Sequence, residues 1–149
     1  MDYIQEAENV LNTYQDLVNS LDSLKDEIRT IEYELQSIKS MDYESVSGGS
    51  MNSDDRITNL IFKKQVKISA YKLTKAKINN IDSALEYLRY DGKEESQDAE
   101  LLKLFYIDKY QMEYICDKLS LCDRSIRRKR HIALRRFSIQ LFGIKILNH

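Results

Sequence analysis

The residues best equipped for chemistry lie late in the chain: seven of the thirteen positions from Arg124 to Arg136 are Lys or Arg. They are Arg124, Arg127, Arg128, Lys129, Arg130, Arg135 and Arg136, with His131 among them. Guanidinium groups bond guanine edges bidentately, and Lys and Arg alike neutralise phosphates, so this composition points to nucleic acid. On a helix turning ~100° per residue, placing Ile126 inward puts Ala133 and Phe137 on the same side within ~20°. Arg124, Arg128, His131 and Arg135 then share the opposite face, flanked by Arg127. The plain alternative is a solvated basic face on an ordinary helix.

Such a face reads DNA only when other elements hold it. Leu101, Leu102, Leu104 and Phe105 mark a helix of about ten residues ending near Asp108-Lys109. Met112, Ile115, Cys116 and Leu119 repeat at helical spacing in a second piece of about eight. Ser120-Leu121-Cys122 forms a tight connector, and a third, longer helix starts at Asp123. Short helix, three-residue turn and longer basic helix make a helix-turn-helix arrangement. Recognition helices use their N-terminal turns, which nominates Arg124, Ser125, Arg127 and Arg128 for base edges. Lys129, Arg130, His131, Arg135 and Arg136 are candidates for phosphate or neighbouring protein.

Leu102-Lys103-Leu104-Phe105-Tyr106-Ile107, Tyr114-Ile115-Cys116-Asp117-Lys118-Leu119 and Cys122-Asp123-Arg124-Ser125-Ile126 together resemble region 4 of sigma-70-type factors. The ending Ala133-Leu134-Arg135-Arg136-Phe137, continued by Leu141-Phe142-Gly143, is similar to that of RinA/ArpU-type regulators, phage-encoded activators of late genes in Gram-positive bacteria. The resemblance is specific over residues 101–143 and only architectural over 1–96. It implies a transcriptional regulator acting on double-stranded promoter DNA in a bacterial cytoplasm, with host RNA polymerase as a further partner. The chain departs from the family at Cys122, where such turns carry Ser as the helix cap, so Asp123 is expected to cap. It departs again at Lys129 and Arg130, where the family often has an apolar residue.

The strongest periodicity comes first. From Tyr3 through Ala7, Val10, Tyr14, Leu17, Leu21, Leu24, Ile28, Ile31 and Leu35 to Ile38, steps of four and three alternate. This heptad seam predicts one unbroken helix roughly 54 Å long, with Ile4, Leu11 and Val18 widening its stripe. A loop is expected at Ser45-Val46-Ser47-Gly48-Gly49-Ser50, followed by a second helix from about Asp54 to Arg89. Its looser seam runs through Ile57, Leu60, Ile61, Ile68, Tyr71, Ile78, Ile81, Leu85 and Leu88, beside a cluster of lysines. Acidic first helix and basic second suit an antiparallel hairpin that also dimerises.

Residues 1–96 carry a net −6 and residues 97–149 a net +5, an asymmetry that fits a basic module meeting a polyanion. Absence of proline suits long helices. Cys116 and Cys122 fit neither a zinc nor a redox spacing, and no signal peptide or membrane span is readable. No catalytic arrangement, metal site or cofactor motif is found, so no enzyme and no cofactor are expected. The expected architecture is all-α: a coiled-coil-like hairpin over 1–90 for oligomerisation or partner contact, and a small helix-turn-helix domain over 97–149. The rival reading is an anti-sigma or host-directed inhibitor that binds protein and uses the same scaffold without reading DNA sequence.

Overall fold

The computed structural model describes residues 2–41 and 53–143, and the loop expected at Ser45–Ser50 lies outside them. The described chain is mostly helical, in keeping with an all-α fold. In order it forms α1 (Tyr3–Asn12), α2 (Tyr14–Met41), α3 (Ser53–Tyr87), a two-stranded hairpin β1 (Tyr90–Asp91) and β2 (Glu94–Glu95), α4 (Asp98–Leu102), α5 (Met112–Leu119) and α6 (Asp123–Phe142). No described helix is long and apolar enough to cross a membrane.

The seam from Tyr3 to Ile38 is not one helix. It breaks at Thr13, whose backbone N–H reaches back to Asn9 O at 3.1 Å while its hydroxyl donates to Val10 O at 3.0 Å. The hydroxyls of Ser20 and Thr30 bond the preceding turn in the same way without interrupting α2, so this bond accompanies the break and does not by itself cause it. Asp2 caps α1, accepting from the N–H groups of Ile4 and Gln5.

Two compact units result: Met1–Asp16 with Lys77–His149, and Leu17–Ala76. This division falls elsewhere than the expected boundary at residues 91–95. In the first unit, Ala7 and Leu11 of α1 are fully buried, as is Phe137 of α6, and the Tyr3 ring lies 5.3 Å from that of Phe142. Ile78, Ile81 and Leu85 at the end of α3, and Leu88 just after it, are buried in the same unit. The start of the seam therefore packs in the unit that holds α6.

The second unit holds residues 17–41 of α2 and 53–76 of α3. Lys67 pairs with Glu27 at 2.7 Å, Lys64 with Glu32 at 3.2 Å, and the Lys25 ammonium lies 5.9 Å from the Tyr71 ring centre. Partners fall in number along α3 as they rise along α2, so the two helices run antiparallel. Half-exposed pairs of this sort contribute about 0.2–1 kcal/mol each, chiefly fixing register. Lys64 and Lys67 hold inner positions of α3, while Ile61, assigned to the seam from sequence, is exposed.

Between the expected domains 1–90 and 97–149 the chain forms a tight β-hairpin, with Tyr90 opposite Glu95 and Asp91 opposite Glu94. Gly92 takes φ +67° at the first of its two turn positions, where a glycine meets no steric cost.

Candidate nucleic-acid interface

A cluster of Leu101, Leu104, Ile115, Leu119 and Ile126 ties the α4 region, α5 and the start of α6 together, with Phe105, Met112, Cys116 and Leu121 packed around it. After Leu102 the α4 helix widens into a π-helical turn over Lys103–Ile107, closed by Asp108 N–H on Lys103 O at 2.8 Å. Opposite faces of this turn are buried by different neighbours. Leu104 enters the cluster, while the buried Tyr106 donates its hydroxyl to Glu8 of α1 at 3.0 Å. Burial, then the Glu8 carboxylate, pushes the Tyr106 phenol far above its ordinary value.

The connector that orients α6 is short. Ser120 ends α5 at φ 56°, ψ 44°, a left-handed conformation that turns the chain out of the helix. Leu121 N–H bonds Cys116 O at 3.1 Å, Leu121 is half-buried, and Cys122 is extended at the cap position of α6. Asp123 does not cap. It stands in the first turn, where a carboxylate complements the helix dipole, and accepts from Arg127 Nε at 3.1 Å. The Cys122 Sγ and Ser125 Oγ lie 3.3 Å apart, and that hydroxyl with the nearby backbone N–H groups draws the thiol below its usual range.

Along α6 the nine nominated residues divide by exposure. Arg124, Arg127, Arg128, His131 and Arg135 are exposed, whereas Ser125, Lys129, Arg130 and Arg136 are half-buried. Arg124, Arg128, His131 and Arg135 recur at steps of four, three and four, opposite the buried Ile126, Ala133 and Phe137. Among the described residues no ion pair engages Arg124, Arg128 or Arg135. Exposed Ile132 lies beside this stripe.

Two of the nine are held by the fold. The Arg130 guanidinium stands 4.4 Å over the Phe105 ring, a cation–π contact between α6 and the π-helical turn. Arg136 forms an ion pair with Asp98 and donates to Tyr90 O at 2.6 Å, so it fastens α6 to α4 and the β-hairpin. The phosphate role expected of Arg136 competes with these bonds.

One surface was not foreseen. Tyr110 and Tyr114 stack with ring centres 4.2 Å apart at 28°, both exposed, at the entrance to α5. Helical spacing was no guide to this stack, because Tyr110 precedes the extended Gln111 and lies outside α5.

Compared with known proteins, the chain matches no family model, no curated protein and no solved structure.

Proposed function

We propose that this protein is a sequence-specific DNA-binding transcriptional regulator in which α5, the Ser120 turn and α6 act as a helix-turn-helix. The observation that carries the reading is the exposed, unpaired stripe of Arg124, Arg128, His131 and Arg135 on a helix whose opposite face is buried. An α-helix fits the major groove of B-DNA, and the stripe spans roughly 16 Å of it at ~1.5 Å per residue. Arg124 and Arg128, in the first turns, would reach base edges, and Arg135 a phosphate further along. The His131 ring nitrogens would add one bond between them. The resemblance to RinA/ArpU-type regulators extends the proposal to a phage or prophage late-gene activator, working as a homodimer beside host RNA polymerase.

Selection of binding sites from random duplexes by the 149-residue chain tests this directly. A recurrent motif is expected, and no enrichment would overturn the proposal in favour of a protein-binding inhibitor. On the selected site, Arg124→Ala and Arg128→Ala should each lose roughly 1–3 kcal/mol of discrimination against scrambled duplex. Arg135→Ala should weaken all duplexes alike and reduce the salt slope by about one unit.

A further inference from the structure

The outer face of α3 carries a feature that DNA recognition by α6 does not use. Lys64, Lys67 and Tyr71 face α2 through their contacts with Glu32, Glu27 and Lys25. On the other side, Phe62, Val66 and Leu73 are 67, 50 and 74% exposed. At ~100° per residue the three fall within ~40° of one another and cover roughly 17 Å of helix. Single exposed apolar residues are ordinary on a protein surface, but three large ones in line on one helix mark an interaction face.

The charges beside the stripe select the occupant. Lys63 and Lys72 flank it, both exposed and without an ion pair among the described residues. From Arg56 to Ala76 the helix contains no Asp or Glu. A second copy laid stripe to stripe would set Lys63 and Lys72 against the same lysines, since the carboxylates beside Lys63, those of Asp26, Glu27 and Glu34, lie in its groove with α2. A phosphate backbone would suit the lysines and leave the three apolar side chains uncovered. We propose that this face docks an acidic amphipathic helix of another protein, its apolar seam on Phe62, Val66 and Leu73 and its carboxylates against Lys63 and Lys72. Helix-on-helix recognition of this kind takes affinity from the seam and partner choice from the flanks.

The test uses the 149-residue chain and two labelled designed helices of about three heptads, alike in a Leu seam but flanked by Glu in one and Lys in the other. Fluorescence anisotropy should show the Glu-flanked helix binding at least about tenfold tighter than its counterpart, and more weakly at high salt. Phe62→Ser or Leu73→Ser should each weaken it about tenfold or more, and Lys63→Glu with Lys72→Glu should reverse the preference between the two helices. These side chains are exposed, so circular dichroism of the variants should match the parent. Equal binding of both helices, or binding unmoved by Phe62→Ser and Leu73→Ser, overturns the proposal. So does a dimer in sedimentation that Leu73→Ser dissociates, which would assign the face to a second copy. Binding of a duplex or single strand that the lysine variants abolish and Leu73→Ser leaves intact would assign it to nucleic acid instead. Arg124→Ala leaves the binding of both designed helices unchanged, which separates this result from that of the DNA reading.

Discussion

Arg135 and Arg136 are neighbours in sequence with opposite circumstances. Arg135 is exposed, whereas Arg136 is bound to Asp98 and to Tyr90 O. Removing one partner of a largely buried charged pair leaves the other unsatisfied, so Arg136→Ala should destabilise the protein by about 2–4 kcal/mol. Denaturant unfolding measures this, and DNA affinity of the folded fraction should change less than twofold. A second residue-scale expectation concerns alkaline pH. Tyr14 donates its hydroxyl to Asp82 at 2.6 Å, and burial first, then that carboxylate, pushes its pKa up to about 12 from 10.0. A phenol whose folded pKa is raised favours folding while it stays neutral. The contribution is fully present below the ordinary value and is lost as pH rises through about 12. Denaturation midpoints should therefore fall over that alkaline range, and Tyr14→Phe should flatten part of the fall. Tyr106, shifted in the same direction by burial and Glu8, accounts for part of what remains.

At the scale of elements, the Ser120 turn sets how α6 leaves α5. A serine at φ 56° bears a steric cost that glycine avoids, so Ser120→Gly should stabilise the protein by about 0.5–1 kcal/mol in thermal unfolding. A loss of stability would mean that the serine side chain contributes more than its conformation costs. The bounds of α5 and the start of α6 were readable in advance because a clear turn separates two helical patterns, whereas the end of α6 at Phe142 was not. Other features escaped for physical reasons. Every residue of the seam from Tyr3 to Ile38 is buried or half-buried, yet periodicity reports only that a face is covered, not what covers it. A one-residue break at Thr13 leaves the pattern almost intact on either side. In α3, apolar residues on both faces blurred the seam, so Ile61 was taken inward and Lys64 and Lys67 were read only as part of a lysine cluster beside it. The stems of those lysines pack while their heads pair with acids, which hydrophobicity alone does not register. Asp91-Gly92 was a hairpin signal passed over because its flanks are polar rather than alternating. On α6 the exposed stripe was legible from angle alone. The capture of Arg136 was not, because Asp98 and Tyr90 lie 38 and 46 residues away.

For the whole molecule, the placement of α1 matters most. Leu11, read in sequence as part of a coiled-coil stripe, is fully buried in the unit that contains α6. Leu11→Ala should cost about 2–5 kcal/mol, as deletion of a buried leucine side chain does. Hydrogen exchange should locate the loss, with faster exchange along α6; a loss confined to residues 17–76 would contradict the packing. The second unit has a thinner core, with Ile31 and Ile38 its only described residues in the buried core. Its amides should exchange sooner than those of the first. Placing α1 with α6 also orders events during synthesis. Helix α1 waits for a partner more than a hundred residues behind it, roughly ten seconds at ordinary elongation rates. Until Phe137 has emerged, Ala7 and Leu11 have no finished core to enter. The packing of α6 thus completes late, and a ribosome stalled within α3 would hold α1 with its apolar side uncovered.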